Sequence, residues 1–125
     1  MAICVFDTDV STWNEEEKRK LDRLRVKYAK NKNVILCDSL PAVEYWFLLH
    51  YENTNRFLGT SKAAMQALRK YMPDYDKTDS FLSNRRWVAE MSGEGKQDIA
   101  CCRAEQFGNE GQSYSMIYKV FDAIK

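Results

Sequence analysis

The sequence predicts an α/β fold: a short parallel βαβ sheet followed by a mainly helical C-terminal half. Three observations predict it. Two apolar runs, Ala2-Ile3-Cys4-Val5-Phe6 and Val34-Ile35-Leu36-Cys37, read as buried strands, the second, which shows no alternation, as one buried on both faces. The stretch between them is acidic at its start and basic at its end, as a helix prefers. Strand, helix and strand within about 35 residues make a right-handed parallel crossover. Beyond residue 42 the apolar residues recur at helical spacing.

Bulk properties bound the rest. The chain has 125 residues, one domain by length, and 45% hydrophobic residues with 13% aromatic suffice for a core. A net charge of +1 excludes a global attraction to nucleic acid or membrane, so any such binding needs a local patch. No run of about 18 apolar residues is present to span a membrane. The N-terminus lacks the basic start and cleavage site of a signal peptide. A cytoplasmic protein without membrane association is expected. The four cysteines form no CxxC pair, and one histidine is too little for a usual zinc site. All four cysteines are expected to be small buried hydrophobes in a reducing compartment.

The first strand ends in Asp7-Thr8-Asp9. Strand residues at i and i+2 share a face, so the two carboxylates point at one place. Like charges that close need neutralising. A hard divalent cation is one solution; a strand-to-helix turn rich in cap formers is the other, and spacing alone leaves both open. Ligands of open α/β sheets sit just beyond such strand ends. Thr12 and Glu15 then form a capping-box pattern, and Glu15, Glu16 and Glu17 complement the helix dipole. Trp13, Leu21, Leu24 and Tyr28 give the inner face. Lys18, Arg19, Lys20, Arg23, Arg25, Lys27 and Lys30 give a solvated face, or alternatively a phosphate-contacting one. Asn31-Lys32-Asn33 ends the helix.

Asp38-Ser39-Leu40-Pro41 after the second strand is a turn leading into a helix that is apolar nearly all round, Ala42 to Tyr51. Glu44 is its one charged residue before His50. A carboxylate among Trp46, Phe47 and Leu48 must find a partner, a metal or a proton. It lies in the first turn, near where Asp7 and Asp9 emerge; pairing with an arginine or with backbone amides is the purely structural alternative. His50, about two turns along, reads as a satisfied partner at the helix end. Further helices are expected over Ser61–Met72, from Phe81 to a break at Ser92-Gly93-Glu94-Gly95, and from Gln97 to Phe107. A last helix is expected after a cap at Ser113, with Tyr114, Ile117, Tyr118, Phe121 and Ile124 on one stripe. Asp74 to Asp79 is a charged loop. Two strands do not make a stable sheet, so a further strand is expected, from upstream of Met1 or from a partner chain.

On these residues the chain resembles the RloB family of Toprim-like proteins, found beside AAA ATPases in bacterial phage-defence loci. Val5-Phe6-Asp7-Thr8-Asp9 is similar to the family's strand ending in Asp-x-Asp. Ser39-Leu40-Pro41-Ala42-Val43-Glu44-Tyr45-Trp46-Phe47-Leu48-Leu49-His50 is similar to its Pro-x-x-Glu-x-Trp-x-Leu-Leu-His helix. Tyr75-Asp76-Lys77 resembles its Tyr-x-Lys element, and Gly108 to Ile124 its terminal helix. The resemblance implies a partial Toprim-like parallel sheet. It implies Asp7 and Asp9 as metal ligands, Glu44 as a further acidic group in the metal shell or structural, and Lys77 as a stabiliser of developing phosphate charge.

It further implies Mg²⁺, or Mn²⁺, as cofactor, nucleic acid as substrate and an AAA ATPase as partner, with self-association as an option. The family's Glu-Gly-type motif on an earlier strand has no counterpart here. The expectation is a single RloB-like domain over residues 1–125 that lacks the N-terminal glutamate-bearing strand. Two functions follow: a Mg²⁺-dependent nuclease with Glu44 and Lys77 in catalysis, or a truncated, non-catalytic interaction module of the same fold. A third reading is a phosphatase of the haloacid-dehalogenase type, with Asp7 as nucleophile, although no later acidic pair is visible for it.

Overall fold

A computed structural model describes residues 2–8, 14–109 and 112–124. Strand β1 (Ala2–Asp7) is followed by helix α1 (Glu15–Tyr28) and strand β2 (Val34–Leu40). The two strands pair in parallel, from Ala2 opposite Val34 to Asp7 opposite Ser39. The βαβ unit is therefore as expected, and the chain is an α/β protein. Asp9, Trp13 and the Thr12 half of the capping box lie outside the described residues. The cap that is described is Asn14, whose Oδ1 accepts from the Glu17 N–H at 2.9 Å.

Helix α2 (Val43–Leu48) enters the core directly after the cis Leu40–Pro41 peptide bond. It is shorter than the run Ala42 to Tyr51 suggested, although the chain keeps turning through Leu49 and His50. Then come α3 (Ser61–Arg69), α4 (Asp79–Leu82), α5 (Arg86–Ser92) and α6 (Lys96–Phe107). Thr60 and Thr78 cap α3 and α4 by accepting from Ala63 N–H and Phe81 N–H. The break between α5 and α6 falls where the glycines predicted it: Gly95 has φ +80° and Glu94 +55°, a left-handed turn that a helix cannot contain.

The third strand is supplied within the chain. β3 (Tyr114–Ser115) pairs antiparallel with the end of β2, giving a mixed sheet in the order β1-β2-β3. This corrects two expectations, the all-parallel sheet and a helix running on from Ser113. Helix α7 (Tyr118–Ala123) begins only after the strand. The reason is local chemistry. The Tyr114 hydroxyl and Ser115 Oγ both find partners on β2, at Asp38 and Ser39, which a helix starting at Ser113 would forfeit.

The core lies on one face of the sheet. Cys37, Tyr45, Trp46, Leu48 and Leu49 pack with Ala100, Ala104 and Ile117, and Phe121 of α7 stacks on Trp46 at 5.8 Å. Full burial of Leu48 and Leu49 contributes about 1.5–3 kcal/mol each. β1 is a further correction. The sequence predicts a buried strand, yet Ile3, Cys4 and Val5 are exposed, Val5 by 54%. An apolar strand records a preference for burial; the neighbours decide whether it is met. Here β1 has β2 on one side, while α1 packs mainly over β2. Cys4 and Cys102 are correspondingly exposed and Cys101 half-buried; of the four free cysteines only Cys37 is buried as expected. Among the described residues no helix is long and apolar enough to cross a membrane.

Candidate functional site

Ser39 is the last β2 residue paired with β1, and the chain beyond it turns so that α2 begins beside the end of β1. Asp7 Oδ1 accepts from the Val43 N–H at 2.9 Å, at the first residue of α2. The next residue is Glu44, whose side chain is fully buried. The sequence places these two carboxylates near each other, and in the structure Asp7 is bonded to the backbone of the residue just before Glu44. Lys77 joins them from the loop ahead of α4: its Nζ lies 2.8 Å from Glu44 Oε1.

Three features fix Glu44. Lys77 neutralises it while keeping 44% of its own side chain exposed. The Tyr75 hydroxyl donates to the same Oε1 at 3.3 Å. Tyr75 is buried and meets Phe47, Phe81 and Trp87 edge to face at 5.4–5.9 Å between ring centres. Burial first, then the charge of Glu44 and its hydrogen bond, and more weakly the charge of Asp7, hold the Tyr75 hydroxyl well above its ordinary pKa. It therefore stays a donor. The loop itself is tied down: Arg69 Nε donates to Tyr75 O at 2.9 Å, and Arg69 lies 3.7 Å from Asp76. A stretch that reads as a charged turn is thus a built part of the site.

The second oxygen of Glu44 is the telling atom. Oε2 is buried and has no hydrogen-bond partner among the described residues. Leaving a carboxylate oxygen so costs free energy unless something occupies it. The donor set, a buried carboxylate with a free oxygen beside a second carboxylate at a strand end, suits a hard cation that takes one or two carboxylates and retains water. Among the described residues no three His, Cys, Asp or Glu side chains cluster as ligands. Asp9, the third expected acid, lies outside the described residues.

His50 does not share this site. It is buried, its Nδ1 donates to Trp46 O at 3.0 Å, and its ring meets Trp46 edge on at 5.0 Å. Burial lowers its pKa below the ordinary 6.5. The unfolded chain then takes the proton first, so this stabilisation is full above about pH 6.5 and is lost as pH falls below it. Between about pH 7.5 and 5.5 the stability advantage of the wild type over His50→Gln should shrink, measured by urea unfolding. A pH-independent difference would contradict the assignment.

Sequence reasoning missed a second polar cluster, on the opposite face of the sheet. Asp38 was read as a turn and Arg25 as part of a solvated face. Asp38 is a buried β2 residue, and its Oδ2 receives both Arg25 Nη2, at 2.5 Å, and the Tyr114 hydroxyl, at 2.6 Å. The signal was present: an aspartate directly after Val34-Ile35-Leu36-Cys37 faces the demand argued for Glu44. Burial, with the hydrogen bond to Asp38, pushes the Tyr114 hydroxyl up to about 12. A cavity of about 630 Å³ opens beside this cluster, lined by Arg25, Tyr28, Asp38, Met116 and Lys119 among others.

The fold is thus α/β, with a small mixed sheet in which Asp7 closes β1 against the first residue of α2. The chain belongs to the RloB-like protein family, whose model matches residues 1–124. No curated protein and no solved structure matches it.

Proposed function

We propose that this chain is a Toprim-like, metal-dependent phosphodiester-cleaving domain acting on nucleic acid. The observation that carries the reading is the buried, unpartnered Oε2 of Glu44 beside the Asp7-bound start of α2. Asp7 and Glu44 would hold Mg²⁺ or Mn²⁺, with Asp9 as the further ligand that the family resemblance implies. When bound, the ion supplies a polarised phosphate and an activated water. The chain's own groups do the rest. Tyr75 orients the Glu44 carboxylate. Lys77, half in solvent, presents an ammonium to the phosphate charge that develops. The aromatic wall of Phe47, Phe81 and Trp87 behind Tyr75 excludes water from that side. An AAA ATPase partner, bacterial phage defence and a cytoplasmic setting belong to the same proposal and rest on the family resemblance.

Isothermal titration of the whole chain with MgCl₂ and MnCl₂ tests the reading. Binding that weakens about tenfold or more in Asp7→Ala and in Glu44→Gln is expected, as for loss of one ligand from a small carboxylate site. Absence of any binding that these changes abolish would sink it. One observation favours a second reading, a non-catalytic interaction module. Lys77 already supplies Glu44 with a counter-charge, and a protein that binds no cation while keeping that ion pair would be such a module.

A further inference from the structure

Thr8 separates the two aspartates, and it is fully buried where its neighbour Asp7 is exposed. Its backbone N–H donates to Ser39 O at 2.8 Å. Its hydroxyl oxygen lies 3.0 Å from the same carbonyl and 3.2 Å from the Tyr114 hydroxyl. Tyr114 gives its single proton to Asp38 Oδ2, an acceptor only, so the Thr8 proton is shared between Ser39 O and the Tyr114 oxygen. Arg25 Nη2 closes the array by donating both to Asp38 and to Tyr114. On the other face Ser39 Oγ meets Ser115 Oγ at 2.8 Å, which fixes β3 at the same level. Every side chain in this array except Arg25 is buried.

These buried polar groups sit where β1 leaves the sheet. β1 is an exposed edge strand whose ladder stops at the Asp7–Ser39 pair. Uncovered strand ends fray. Fraying here would carry Asp7 away from the Val43 N–H. We infer that Thr8 and Tyr114 are positioning residues: the Arg25–Asp38–Tyr114 array grips Thr8 and thereby holds the acidic end of β1 against the start of α2. The array touches no candidate ligand atom itself; it acts through Thr8. The inference rests on the metal-site reading for what Asp7 holds, and on geometry alone for the hold itself.

The whole chain carries the test as Thr8→Val, which keeps the shape and deletes the hydroxyl, Tyr114→Phe, and Thr8→Ser as the conservative rescue. The first readout is amide hydrogen exchange by NMR at Val43, whose N–H donates to Asp7. Thr8→Val and Tyr114→Phe should each speed it about tenfold, the size of one net hydrogen bond, while Thr8→Ser stays within about threefold. Ala100 and Ala104 amides in α6 should not change. The second readout is Mn²⁺ affinity by calorimetry, expected to weaken about tenfold in Thr8→Val and to recover in Thr8→Ser.

Unchanged Val43 exchange in a folded variant overturns the inference, and so does exchange that rises equally at Ala100 and Ala104, because the array then serves global stability. Faster exchange confined to the Val43 region in a protein that binds no Mn²⁺ supports the hold and removes the metal reading instead. A wild type that binds Mn²⁺ no better than Thr8→Val overturns the link between the array and the site.

Discussion

Lys77→Met is expected to destabilise the protein by about 1–3 kcal/mol, and Mg²⁺ to return part of the loss. Removing one partner of a buried ion pair costs about 3–5 kcal/mol when both are desolvated, because an uncompensated charge is left behind. Glu44 is fully desolvated, but Lys77 keeps 44% of its side chain in solvent, which discounts the figure. The Tyr75 hydroxyl remains on Oε1 and softens it further. Two controls separate the cause. Glu44→Gln in the Lys77→Met background should recover most of the stability, since a neutral amide needs no counter-charge. A divalent cation should raise the melting temperature of Lys77→Met more than that of the wild type, because it replaces the missing charge. Urea unfolding of the four proteins of this cycle measures the first, and thermal melts with and without MgCl₂ the second. A Lys77→Met protein as stable as the wild type would mean that Glu44 finds its counter-charge elsewhere.

Asp38→Ala is the other large effect, about 2–4 kcal/mol of lost stability by the cost of breaking a buried hydrogen-bonded charge pair. The substitution orphans two donors that converge on one oxygen. Arg25 can turn outward, as its side chain is already 34% exposed. Tyr114 cannot, being buried, and burial by itself keeps its hydroxyl protonated. Asp38→Asn, which keeps an acceptor of the same shape, should lose about half as much. A shift in the urea midpoint at constant slope is the expected record. Loss below about 0.5 kcal/mol, the range of an ordinary surface substitution, would show that the cluster adds nothing to stability.

The candidate site was legible because its members break local rules. Two aspartates closing an apolar strand, and one glutamate in an otherwise apolar helix, each demand an explanation that only company supplies. Lys77 needed the family motif, since nothing in a loop of charges marks one lysine as reaching a buried carboxylate. Arg25 was hidden by its own length: it lies on the helix face that carries six other basic residues, yet its guanidinium reaches back to Asp38. Tyr114 was hidden by periodicity. Tyr114, Ile117, Tyr118 and Phe121 fit a helical stripe, and only hydrogen bonds to β2 from residues more than 70 positions away turn its first residue into strand. β1 shows the converse failure. Its composition is that of an interior strand, and composition does not say how many neighbours a strand has.

That strand also sets how the protein behaves in concentrated solution. From Ala2 to Phe6 it carries no charge, proline or glycine, and no bulge interrupts its pairing with β2. These are the devices by which edge strands discourage addition of further chains. High β propensity without charge is also the composition of segments that seed cross-β stacking. With a net charge of +1 there is little long-range repulsion to keep molecules apart. Association of concentrated protein is therefore expected to run through these five residues at one margin of the sheet, and a charge placed on that edge, as in Val5→Lys, should reduce it in light scattering.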